Sequence, residues 1–260
     1  MGVSVGGKIV TDGLLMHFDA ANKKSYPGSG DAWLNLAPYP NRSGSFDCAE
    51  GVSPVVANGY ASFTGVDATY SRIIIGTGPN NDIDEITELT EYVTVDMWLR
   101  LKTPLTGDGQ AKFICGWLTA YSVQVSDDQL GFTGAGQTNQ IYGIGNASEL
   151  GLFNNWKHYC FVMVNTNVDY YPSNLKSSHK IYINGQSQVL SDQNGIVGET
   201  FFRFNSSTNC FFGFPSRHAE SGASFTLNSD IAIVKVYTRE LTQAEVLQNF
   251  NAHKGRFNIY

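Results

Sequence analysis

The segment EYVTVDMWLRL (91–101) decides the fold. Val93, Val95, Met97, Leu99 and Leu101 fall at alternate positions, and Tyr92, Thr94, Asp96, Trp98 and Arg100 fill the others. A period of two sends each set to its own face of an extended chain, whereas a helix would mix them. The pattern predicts a half-buried β-strand with one wholly apolar face.

Working outward, similar segments recur between Gly, Pro, Asn and Asp. They are LLMHFDA (14–20), GYASF (59–63), YSRIIIG (70–76), AKFICGWL (111–118), YSVQVS (121–126), LGFT (130–133), WKHYCFVMV (156–164), CFFGFP (210–215) and DIAIVKVY (230–237). HKIYINGQSQVL (179–190) contains Asn184-Gly185, a two-residue turn that suits a tight hairpin. The stretches 134–155 and 165–178 read as long loops. One helix is expected, at about 242–254: Thr242 and Glu245 form a capping box, Leu241 and Val246 a hydrophobic staple, and Gly255 the stop. Its apolar face is Val246, Leu247 and Phe250, which should lie on the sheets. Many short strands and one terminal helix predict an all-β, antiparallel two-sheet jelly-roll sandwich spanning 1–260 as a single domain. Trp33 and Trp156 read as core or turn anchors.

Composition agrees. Hydrophobic residues make up 42% and charged residues 15%, enough apolar material for a large core. The net charge is −6 and no basic run exceeds Lys23-Lys24, which argues against a nucleic-acid partner. Cys48, Cys115, Cys160 and Cys210 form no CxxC pair, so neither a zinc knuckle nor a redox motif is expected, and all four should be reduced. The N-terminus lacks the pattern of a secretory signal, and no run nears the ~18 apolar residues that cross a bilayer. The chain is expected to fold where it is made, without membrane insertion.

The chain also resembles the concanavalin A-like lectin/glucanase superfamily, in the laminin G-like form found in structural proteins of tailed bacteriophages. The resemblance rests on segments 12–36, 60–73, 92–101, 154–164, 180–186 and 231–257, in order along the chain. The most specific are DAANKKSYPGSG (19–30) followed by Trp33, and YTRELTQAEVLQNFN (237–251) running on to Lys254-Gly255-Arg256-Phe257. The resemblance implies two curved sheets, frequent sugar recognition at the loops or the concave face, and a place on a virion.

Hydrolases of that superfamily carry acids at alternate positions of one strand, with carboxylates ~5–5.5 Å apart for retention. Glu91 and Asp96 sit at odd spacing, on opposite faces, and the acidic run at Asp82, Asp84, Glu85 and Glu88 reads as a solvated loop. His17 with Asp19 reads as a structural pair. No enzyme and no cofactor are therefore expected. Calcium is the one metal worth weighing: relatives hold it at the sandwich rim, where this chain offers Asp67, while Asp82 and Asp84 suit a separate loop site. Ala232 stands where a strand acid is needed, so the ligand count falls short.

For sugar binding, the candidates are Asp96, Trp98 and Arg100 on one strand face, with Trp117, Tyr121 and Tyr142 beside Gly/Gln/Asn-rich turns. Each aromatic is either a stacking platform or core packing, and the sequence alone leaves both open. The resulting expectation is a virion structural component that pairs with other virion proteins and with itself as a homo-oligomer. Host-surface polysaccharide is the expected external ligand. The alternatives are a plain carbohydrate-binding module, or an atypical polysaccharide-degrading enzyme using Asp82, Asp84 and Asp96.

Overall fold

The computed structural model describes residues 7–38, 44–48, 54–63, 71–75, 91–102, 111–116, 121–134, 140–165, 175–195, 212–214 and 227–259. Their strands form two sheets in which every strand-to-strand pairing is antiparallel. The first sheet runs β14 (Gln186–Ser187), β13 (Lys180–Ile183), β12 (Trp156–Val164), β7 (Tyr92–Leu101), β17 (Ser229–Tyr237), β5 (Tyr60–Phe63) and β4 (Val55–Ala57). β1 (Leu14–Asp19) pairs with β17 as well.

The second sheet runs β15 (Ser191–Gln193), β11 (Ile141–Ile144), β10 (Gln129–Gly134), β9 (Tyr121–Ser126), β8 (Lys112–Gly116), β16 (Phe212–Phe214), β6 (Ser71–Ile75), β3 (Gly44–Cys48) and β2 (Ala32–Trp33). β11, paired with β15, corrects the reading of 134–155 as a loop. Strands as short as IYGI, four residues with a glycine, and SDQ, three polar residues, carry little alternation of their own and are held by their neighbours' ladders.

The alternation in β7 sorts as predicted on its inner side. Val93, Val95, Met97, Leu99 and Leu101 join the inter-sheet core with Phe18, Trp33, Phe132 and Phe161. Its other side departs from a half-buried strand: Thr94, Asp96 and Trp98 are fully buried too. The cover is α1 (Gln243–His253), which builds two further apolar clusters on the outer face of the first sheet. Leu241 and Val246 sit together in one of them, beside Tyr237, and the Thr242–Glu245 capping box is formed.

Two details of the helix differ from expectation. Leu247 is 39% exposed, and the buried face is instead Val246, Asn249, Phe250 and Ala252. Gly255 does not end the helix in a left-handed turn; a 3-10 turn, Lys254–Phe257, continues it, and Asn258 takes the positive φ of 55°. The Asn184-Gly185 hairpin does form between β13 and β14, with φ of 50° and 78° as its mirror-image turn requires.

Candidate functional site

Register across the first sheet places the site. Trp156 of β12 lies opposite Arg100 of β7, Arg100 opposite Asp230 of β17, and Asp230 opposite Ser62 of β5. These four side chains make one rung on the outer face. One step along the same face, His158 lies opposite Trp98; one further, Cys160, Asp96 and Lys235 are aligned.

A β-bulge makes the alignment complete. Between Ile231 and Ile233 the register of β17 shifts by one residue. Strict alternation would put Asp230 and Lys235 on opposite faces, whereas the extra residue at Ala232 brings both to the outer one. Ala232 packs with Ile233, Trp98 and Phe250.

Beneath α1 the face is sealed. Lys235 Nζ lies 2.7 Å from Asp96 Oδ1, His158 Nε2 donates to Asp96 Oδ2 at 2.9 Å, and Asn249 Nδ2 reaches the same oxygen at 3.2 Å. Burial alone would raise the Asp96 carboxyl, but Lys235 and His158 more than offset it and hold the group well below the usual carboxylate range. Asn249 also contacts Tyr237 Oη at 3.0 Å and accepts from the Val10 backbone, so the helix docks through a polar pin as well as its apolar stripe. Trp98 lies within stacking distance of Phe250 and Phe257, with centroids at 5.9 and 4.0 Å.

Beyond α1 the face opens at the Arg100 rung. Asp230 is fully buried and receives Arg100 Nε at 2.8 Å, Arg100 Nη2, Lys102 Nζ at 2.6 Å and Ser62 Oγ. The Arg100 guanidinium lies 5.3 Å from the Tyr60 ring and 5.1 Å from the Trp156 ring. Arg100 and Lys102 each keep 31% of the side chain exposed. Tyr60 and Trp156 are half-buried and meet edge-on at 5.4 Å. Trp156 packs against the outer-face cluster of Trp98, Ala232, Ile233 and Phe250 while staying half-buried, whereas Trp33 is wholly buried against Phe18.

Burial corrects several of the sugar-binding candidates. Asp96 and Trp98 are sealed under α1 and offer no surface to a saccharide. Tyr121 is in the inter-sheet core, its hydroxyl accepting from the Val164 backbone at 3.1 Å, so it is no platform either. Tyr142 is half-buried beneath the Lys176 ammonium at 4.9 Å, on the other sheet from Arg100. Arg100 alone of the β7 trio reaches the surface. Trp117, Asp67, Asp82 and Asp84 lie outside the described residues. Among the described residues no group of three or more His, Cys, Asp or Glu gathers as a metal site.

The pairing of His17 with Asp19, suggested by their shared strand face, does not form. Asp19 instead accepts from Arg256 Nη1 at 2.8 Å, joining the two most specific sequence motifs. Arg256 also donates to the carbonyl of Gly59, whose φ of 80° favours glycine and where a Cβ would crowd Arg256 and Ala21. Sequence reasoning missed Lys102, Asp230, Tyr60 and Lys235. Asp230 and Lys235 in one strand were visible, but only the bulge shows that they share a face.

These features define the class: an antiparallel two-sheet β-sandwich with its outer face part-covered by a terminal helix. No family model and no curated protein matches the chain. Solved structures do. The binding domain of botulinum neurotoxin DC, in complex with rat synaptotagmin II, is similar over 94% of this chain and 52% of that one, at TM-score 0.59 and 12% identity. A structure reporting that cell entry of botulinum neurotoxin type C depends on two ganglioside molecules matches at TM-score 0.58 and 13% identity, over 92% of this chain and 51% of that one. Trypanosoma rangeli sialidase in complex with sialic acid matches at TM-score 0.56 and 13% identity, over 96% and 36%. The chain thus spans about half the length of the neurotoxin chains it matches. At such identities the likeness establishes the fold.

Proposed function

We propose that the chain, 1–260 as one module, is a non-catalytic lectin-like β-sandwich of a bacteriophage virion. It contacts host-surface glycan and assembles with other virion proteins and with copies of itself. The observation that carries the binding reading is the open rung at Arg100, where two half-buried rings stand beside two part-exposed cations. Half-exposed aromatic rings flanked by fixed hydrogen-bond donors suit saccharides, which present C–H faces and hydroxyls together.

Binding is favoured over catalysis by the state of the acids on this face. A glycosidase needs one carboxyl as proton donor and another as base or nucleophile at the scissile bond. Asp96 is sealed and paired with Lys235, and Asp230 is buried among its donors. The enzyme alternative thereby loses Asp96. Sandwiches of this fold in the neurotoxin structures are described with synaptotagmin II and with gangliosides, an analogy that supports recognition as the task. The virion reading is supported by the phage-type motifs, whose Asp19 and Arg256 are bonded to each other.

Three measurements test this: antibody detection on intact virions, a host-glycan array with the purified chain, and an assay for new reducing ends. Detection on the particle, glycan binding weakened at least tenfold by Trp156→Ala, and no new reducing ends are expected. Absence from particles overturns the virion half. Binding to no glycan overturns the lectin half, and cleavage overturns the non-catalytic half.

A further inference from the structure

We infer that the Arg100 rung recognises a carboxylate, so that the saccharide it takes is an acidic one, bearing a uronate or similar carboxyl group. The inference rests on the glycan-binding reading above and assigns its ligand class.

The reasoning starts from charge balance. A buried carboxylate needs one positive partner to offset its desolvation. Asp230 is fully buried and has two, Arg100 and Lys102, together with the Ser62 hydroxyl. Among the described residues one elementary positive charge is left over, at a place where both cations are part-exposed. The next cation along, Arg256, adds nothing, because Asp19 neutralises it. The surplus stands out in a chain of net charge −6, which otherwise disfavours an anionic ligand.

Geometry then gives the surplus a shape. Arg100 spends Nε and Nη2 on Asp230, while its guanidinium lies over Tyr60 and Trp156. It is therefore fixed before any ligand arrives. A guanidinium carries more N–H donors than these partners take up, so donor capacity remains on its part-exposed side. A planar donor held in place favours a carboxylate over a neutral hydroxyl, since charge-assisted hydrogen bonds are roughly twice as strong. Lys102 Nζ supplies a second, mobile donor beside it. Tyr60 and Trp156, both half-buried, flank the guanidinium and offer apolar surface to a sugar ring.

The test uses the full chain and one uronate-containing oligosaccharide, compared with the same oligosaccharide after reduction of its carboxyls to alcohols. Affinities are measured by calorimetry at low and high salt. The acidic form should bind about tenfold tighter or better at low salt, with the gap narrowing as salt rises. Lys102→Gln removes the surplus charge while Arg100 still neutralises Asp230, so folding is retained. This variant should bind the acidic and reduced forms within about twofold of each other, with an unchanged unfolding midpoint. Equal binding of both forms by the parent chain overturns the carboxylate assignment and leaves the lectin reading intact. Binding of neither form, on an array where other neutral glycans bind, also overturns it. Binding to no glycan at all overturns both. A Lys102→Gln chain that keeps the full preference shows the surplus charge to be irrelevant and likewise overturns the assignment.

Discussion

Asp96 shows how much one residue's meaning depends on its neighbours. In sequence it is the acid of an amphipathic strand; in the fold it is a buried charge that Lys235, His158 and Asn249 together hold ionised. Removing Lys235 leaves that charge uncompensated, so Lys235→Met is expected to lower stability by about 3–5 kcal/mol. Adding Asp96→Asn should recover part of the loss, and urea unfolding of the single and double variants checks it. His17 and His253 lie near the same cluster, each with Nε2 unbonded. Burial first, then Lys235, pulls His17 down to about 4 and His253 down to about 3, against the opposing pull of Asp19 and Asp96. Both histidines stay neutral in the fold at pH values where the unfolded chain protonates them near 6.5. Stability is therefore full above pH ~6.5 and falls as pH drops towards ~4, with up to about two extra protons bound on unfolding. Asp96 stays ionised across that window and does not contribute to the slope. Urea midpoints between pH ~7 and ~5 should decline, and His253→Gln should flatten the decline; a level profile contradicts the assignment.

At the scale of the element, α1 is held by a cap and a polar pin as well as by its apolar stripe. Thr242 accepts from the Glu245 backbone while Glu245 returns to the Thr242 backbone at 2.8 Å, and Arg239 clamps the same carboxylate. The Arg239 hydrogen bond is the main reason that Glu245 is held down to about 2. Thr242→Ala removes the reciprocal cap and should cost about 1 kcal/mol, read from the unfolding midpoint. The strand β17 makes the complementary point. Its bulge at Ala232 decides which charges face outward, and a one-residue change of register reverses every later side chain.

For the molecule as a whole, the two ends of the sequence close one structure. Arg256 bonds Asp19 and the carbonyl of Gly59, and Phe257 covers Trp98. A variant ending at Lys254 loses all three contacts. Its tryptophan emission should shift to the red as Trp98 meets water, and its stability should fall by roughly 2 kcal/mol, the worth of one large apolar side chain. An unshifted spectrum would show that α1 alone seals the face.

Much of this architecture was legible beforehand. The alternation of β7, the Asn184-Gly185 hairpin and the Thr242–Glu245 cap are local patterns, governed by backbone geometry within a few residues. Burial of the polar side of β7, the exposure of Leu247, and the gathering of Trp156, Arg100, Asp230 and Ser62 on one rung were not legible. Those depend on which strands become neighbours and in what register, and residues far apart in the chain carry no local signal of that. The sequence by itself determined a two-sheet antiparallel sandwich with a capped terminal helix, because alternation and capping act at short range. Only the tertiary structure decided which carboxylates are sealed and where cations stay open to water, because pairing across strands and the cover of α1 set the solvent exposure of each charge.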